Sequence, residues 1–185
     1  MANLTPAQEH EWLILAQRER DPQAFAKLVA AHQGRVRAVL RKLTHGQQGL
    51  ADELAQETFI KAWHALPSFR HDAQWSTWLH RIAYHEFLQH VRRSPPQTAA
   101  PQEPANIAGA AATPAHELRL DLEKALAQLH PLETAAIVHC YHGGLSHSQA
   151  AAVLGLPLGT LKSHLLRGRS KLQVMLADWR SADTP

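Results

Sequence analysis

Lys162, Ser163, Leu166, Arg167 and Ser170 fall on one side of a helix turning 100° per residue. Their types suit the reading of duplex nucleic acid. Arginine or lysine pairs with guanine edges or phosphates, serine contacts any base, and an apolar side chain such as Leu166 meets a thymine methyl. Leu158, Leu161, Leu165, Gly168, Leu172, Met175 and Leu176 share the opposite side and are expected to pack inward. Gly168 within that face implies close approach to another helix.

A second constellation is Asp52, Glu53, Gln56, Glu57 and Ile60. Residues 53, 56, 57 and 60 follow i, i+3, i+4, i+7 spacing and so share one helix side. Ala51, Leu54, Ala55, Thr58, Phe59, Ala62, Ala65 and Leu66 form the side expected to be buried. Ile60 and Trp63 among carboxylates and an amide give a surface poorly explained by solubility and suited to a protein partner. The alternative is that a neighbouring helix covers both.

A third cluster is His139, Cys140, His142 and His147, around a Gly-Gly turn in a chain with 14 histidines. Thiolate and imidazole ligands at such spacing are weak candidates for zinc or copper. No carboxylate base lies nearby in sequence, and neither a Gly-rich phosphate loop nor a nucleophile motif occurs, so no catalysis and no cofactor is expected.

The elements that must hold these residues are helical. Sustained alternation and hairpin dipeptides are missing from the sequence. Asp21-Pro22 reads as an N-cap followed by proline at the first helical position, opening a pattern through Ala24, Phe25, Leu28, Val29 and Val36. A second pattern covers about 50–66 and stops at Pro67; a third runs from about Trp75 to Arg93. Residues 94–115, SPPQTAAPQEPANIAGAAATPA, carry one charge and no apolar period, and read as a linker. Beyond it, helices are expected over about 116–129, 131–142, 146–154 and 158–177. The last two are joined by Leu154-Gly155-Leu156-Pro157, the pattern of a helix-turn-helix. The expected fold is therefore all-α: two small helical domains, 1–93 and 116–185, with a flexible linker between.

Composition bounds the function. The chain is 45% hydrophobic and 19% charged, a globular balance, and no apolar run approaches the roughly 18–20 residues of a membrane span. MANLTPAQEHEW lacks a basic start followed by an apolar stretch, so no signal peptide and no membrane insertion is expected. The single cysteine excludes an internal disulfide and suits the cytoplasm. Net charge is only +3, but no acid lies between Glu133 and Asp178, and between Asp21 and Asp52 every charge is basic. Such stretches suit either a polyanionic partner or an ordinary solvated helix face.

Three segments resemble the extracytoplasmic-function (ECF, group 4) sigma factors of the sigma-70 family. ADELAQETFIKAW, residues 51–63, looks like the family's core-polymerase-binding segment. LPSFRHDAQWSTWLHRIA, residues 66–83, is similar to its promoter-melting segment. GLSHSQAAAVLGLPLGTLKSHLLRGRSKL, residues 144–172, looks like its helix-turn-helix for the minus-35 element. The resemblance implies a transcription initiation factor that binds core RNA polymerase and promoter DNA, with an anti-sigma factor as its regulator. By position, Asp52, Glu53, Gln56, Glu57 and Ile60 would meet the polymerase. Phe69, Arg70, Asp72, Trp75, Arg81, Arg92 and Arg93 would serve minus-10 DNA, and Lys162, Ser163, Leu166, Arg167 and Ser170 the minus-35 groove. Melted DNA requires aromatics for stacking and bases for the backbone. Trp75, at a helix start after a polar loop, is the aromatic expected nearest the strand, and Trp78 is expected in the core.

Several positions depart from the family pattern. His71 stands where glycine is usual; His85 and Gln89 replace Asn and Asp; Thr134 and His164 replace arginines; Ser148-Gln149-Ala150 replaces an acidic pair and isoleucine. Glu86 falls on the face of Trp75, Leu79 and Ile82, where an apolar residue is expected. T-L-K-S-H-L also resembles the helix-turn-helix of quorum-type regulators, but those carry α/β sensory domains.

Overall fold

A computed structural model describes residues 5–93 and 114–177, with the side chains of 114–116 excepted. The expected linker lies almost wholly outside the described residues. All regular structure among the described residues is helical: α1 (Pro6–Arg18), α2 (Pro22–Leu43), α3 (Gln48–Ala65), α4 (Trp75–Arg93), α5 (Pro114–Ala127), α6 (Pro131–Ile137), α7 (His147–Leu154) and α8 (Leu158–Met175). A π-helical segment, Val138–His142, extends α6.

Local chemistry sets the helix starts. The Asp21 carboxylate accepts from the Gln23 amide at 2.8 Å ahead of Pro22. Ser146 and Gln149 form a reciprocal capping box that opens α7. α7 ends at Gly155, whose φ of 67° and ψ of 32° are left-handed, the conformation glycine adopts without steric cost. Pro157 then starts α8, completing the helix-turn-helix.

Two apolar clusters organise the packing. The first joins α1 to α4 through Leu13, Leu28, Val36, Leu54, Phe59, Leu66, Phe69, Trp75 and Leu79. The second contains Leu126, Leu129, Ile137, Val138, Leu145, Val153, Leu161 and Leu165, and it also includes Val39 and Leu43 of α2 and Tyr84 of α4. The C-terminal helices are thus seated on the N-terminal ones over a shared core. Lys42 Nζ donates to Glu123 Oε1 at 3.0 Å, and Gln149 Nε2 to Gln74 Oε1 at 2.8 Å, at its edges.

On α8, Leu161, Leu165 and Gly168 are buried as expected, whereas Leu158 and Met175 are exposed. The two exposed residues are the first and last of α8. Glu86, unexpected on an apolar face, is buried and ion-paired with Lys61 of α3. A partner on another helix satisfies its charge.

Candidate functional site

The stripe on α3 is positioned by burial of its opposite side. Ala51, Leu54, Ala55, Thr58, Phe59 and Ala62 face the core, which leaves Asp52, Glu53, Gln56 and Glu57 exposed. Ile60 is 42% exposed. The stripe borders a groove of about 970 Å³ between α2 and α3, whose lining includes Phe25, Val29, Phe59 and Trp63. Asp52 is engaged by Arg37 at 3.4 Å. Trp63 is not the free apolar residue expected: the Arg20 guanidinium lies 4.2 Å from its ring centroid and Phe25 packs at 4.9 Å.

The segment before α4 divides into a buried part and an exposed part. Trp75 is only 3% exposed, packed edge-on against Phe69 and at a tilt against Trp78, with ring centroids 5.6 and 5.0 Å away. Trp75 and Phe69 therefore belong to the core, and neither ring is presented for stacking on a base. The polar loop before Trp75 suggested exposure, but Phe69 folds back over it. Trp78, expected in the core, packs against it but is only partly buried. Arg70 and Asp72 lie in the exposed loop, and Arg81, Arg92 and Arg93 are exposed on α4. Arg81, His85 and Arg92 share one helix side by their spacing.

This loop is held by a residue that sequence reasoning missed. Gln17 of α1 donates through Nε2 to the carbonyls of Leu66 (3.1 Å) and Phe69 (2.7 Å), and its Oε1 lies 2.9 Å from His71 Nε2. His71 has φ of 59°, the left-handed region, which explains why glycine is usual at this position. Nothing local marks Gln17 as a clamp, since its partners lie about fifty positions away.

On α8, Lys162, Ser163, Leu166, Arg167 and Ser170 are all exposed, and Leu166 is 69% accessible. The Glu133 carboxylate, only 4% exposed, reaches this helix from α6. Its Oε2 accepts from Lys171 Nζ at 2.7 Å and from the His130 amide at 3.2 Å, and its Oε1 is 3.9 Å from Arg167 Nε. Burial pushes its pKa up, but the Lys171 hydrogen bond, the His130 amide and the charges of Lys171 and Arg167 outweigh it and hold the carboxyl below its usual range. Arg167 Nη2 also reaches His164 Nδ1 at 3.4 Å.

The His139, Cys140, His142 and His147 cluster is not assembled: among the described residues no three His, Cys, Asp or Glu side chains could hold a metal. His139, Cys140 and His142 lie in the π-helical segment, whereas His147 opens α7. His139 points into the shared core, where burial and the nearby His80 lower its pKa to about 3, while Cys140 and His142 are only partly buried. Among the described residues no helix is long and apolar enough to cross a membrane.

An exposed, base-rich second helix of a helix-turn-helix, joined to a helical unit with a separate groove between α2 and α3, is the geometry of a DNA-binding protein. Comparison with known proteins specifies the class. Residues 28–95 match the Sigma-70 region 2 family and residues 119–172 the Sigma-70, region 4 family. The chain is 36% identical over 161 residues to the ECF RNA polymerase sigma factor SigE of Mycolicibacterium smegmatis, covering 83% of this chain but 62% of that one. It is 30% identical over 188 residues to the RNA polymerase sigma-H factor of Pseudomonas aeruginosa, covering 94% and 96%. SigM of Mycobacterium tuberculosis is 32% identical over 164 residues, covering 89% and 83%. Among solved structures, CnrH in complex with the cytosolic domain of CnrY matches with a TM-score of 0.70 at 26% identity, over 96% of this chain and 99% of that one. The sigma factor RpoE in complex with the anti-sigma factor NepR from Bartonella quintana matches at 0.66 and 25%, over 84% and 98%. The chain belongs to the sigma-70 family of RNA polymerase sigma factors, in its extracytoplasmic-function group.

Proposed function

We propose that this chain binds core RNA polymerase through α3 and directs initiation at promoters read by α4 and α8, in the cytoplasm and without catalysis of its own. Residues 1–93 act as the polymerase-binding and minus-10 unit, residues 94–115 as the connection, and residues 116–185 as the minus-35 unit. The observation that carries this reading is Ile60, an apolar side chain left exposed on a groove that Asp52, Glu53 and Gln56 also line, with Glu57 exposed one turn before it. Such a residue anchors a partner helix, while the carboxylates steer it. Lys162, Ser163, Leu166, Arg167 and Ser170 would enter the minus-35 major groove. At minus-10, Arg70, Arg81, Arg92 and Arg93 would take the strand backbone, Asp72 would take base edges, and Trp78 replaces Trp75 as the candidate stacking ring.

An anti-sigma factor is the second partner expected of this chain. One similar structure is the sigma factor RpoE in complex with the anti-sigma factor NepR, and another is CnrH in complex with the cytosolic domain of CnrY. This supports control of the present chain by sequestration. The test is reconstitution with core polymerase and a genomic DNA library, followed by sequencing of transcript starts. Starts sharing paired upstream elements are expected; transcription no different from core polymerase alone would overturn the reading.

A further inference from the structure

The exposed face of α8 holds Lys162, Arg167, Arg169 and Lys171 in an interval with no acid from 134 to 177. Glu133, just before that interval, is nonetheless brought under α8 by close packing of α6. A Cβ at Gly168 would lie 2.7 Å from Ile137 Cδ1 and 3.3 Å from Glu133 Cβ. Gly168 therefore lets the two helices approach until the buried carboxylate reaches the i, i+4 pair Arg167 and Lys171. Lys171 is held at 2.7 Å; Arg167, at 3.9 Å, is drawn toward the carboxylate without being closed onto it.

We propose that Glu133 is a specificity-determining residue that acts as a built-in counterion, neutralising Lys171 and restraining Arg167 so that α8 reads bases without gripping any phosphate backbone. This rests on the reading of α8 as the DNA-facing helix. Sequence-independent affinity comes from cations that displace condensed counterions from DNA. A lysine already paired inside the protein displaces few, so its presence adds little to non-specific binding. Base contacts made by Ser163 and Leu166, and the contacts of the unpaired Lys162 with guanine edges or phosphates, are untouched by the pairing, so the ratio of specific to non-specific binding rises.

The experiment measures affinity of the full chain for a mixed-sequence DNA duplex across a salt series. Each phosphate contact contributes about 0.9 to the slope of log affinity against log salt. Glu133→Gln, which keeps the side chain's shape, is expected to bind more tightly and to steepen the slope by about 0.9 or more as Lys171 is released. An unchanged or shallower slope overturns the proposal, since loss of structure alone lowers binding without adding a cation. Lys171→Gln in the parent is a second arm that removes only a half-exposed side chain. Its slope is expected to match the parent's; a drop of about 0.9 would mean that Lys171 already grips phosphate and would also overturn the proposal. Lys162→Ala separates the two levels of inference. It should lower the slope if α8 touches DNA, and no change there would refute the DNA-facing reading itself and the counterion with it.

Discussion

His80 of α4 and His139 of the π-helical segment meet edge to face, ring centroids 5.5 Å apart, where the two halves of the chain join. Both are buried, and Tyr84 packs on His139 at 5.4 Å. His80 Nδ1 and both ring nitrogens of His139 lack hydrogen-bond partners within the described residues. Burial, with the charges of Arg35 and His32, lowers the His80 pKa to about 4, and burial, with His80, lowers that of His139 to about 3.

The packed form therefore requires both rings neutral. Released rings take protons near 6.5, so packing is undiminished above that pH and weakens as pH falls from 6.5 toward the packed values of about 4 and about 3. Thermal midpoints are expected to be flat above about pH 7.5 and to decline steadily toward about pH 5. A His139→Phe variant should show a shallower decline over that window; an equal decline would place the acid sensitivity elsewhere.

Gln56→Ala combined with Ile60→Ala is expected to weaken core polymerase binding at least about tenfold, since truncating an anchor costs about 2 kcal/mol. Both side chains are exposed, so the melting temperature should not move. Affinity for core polymerase and a thermal melt of the same preparation check this together.

Lys162→Ala combined with Arg167→Ala should abolish promoter-specific initiation while leaving core binding intact, each groove contact costing about 1–3 kcal/mol. Run-off transcription at a promoter with a minus-35 element, paired with a core-binding assay, separates the two effects.

Trp75→Ala should act through stability, destabilising by about 3–5 kcal/mol as a buried aromatic removed from between Phe69 and Trp78. Trp78→Ala should cost less stability and weaken binding to single-stranded minus-10 DNA, by about 1–3 kcal/mol if it stacks on a base. Denaturant titration and strand-binding assays of the two variants distinguish these roles.

Elements whose signals are local were legible in the sequence. The Asp21-Pro22 cap, the arrest of α3 near Pro67, the span of α4 from Trp75 to Arg93 and the turn at Gly155 each follow from a few adjacent residues. The buried side of α3 follows from one helical period. What was not legible depends on partners distant in the chain. Glu86 is explained by Lys61, the burial of Trp75 by Phe69 and Trp78, and the hold of Gln17 on the 66–71 loop by packing of α1. Glu133 carried only a faint sign, as the last acid before a basic interval. Helix periodicity could not reveal that Val39, Leu43 and Tyr84 belong to the core of the other half, because a period shows which face is buried and not what buries it.

That shared core has a consequence for the life of the chain between rounds of transcription. Val39, Leu43 and Tyr84 would become an adhesive patch on any molecule whose halves swung apart in free solution. Folded over one another, the halves keep this patch from chaperones, proteases and other copies of the chain.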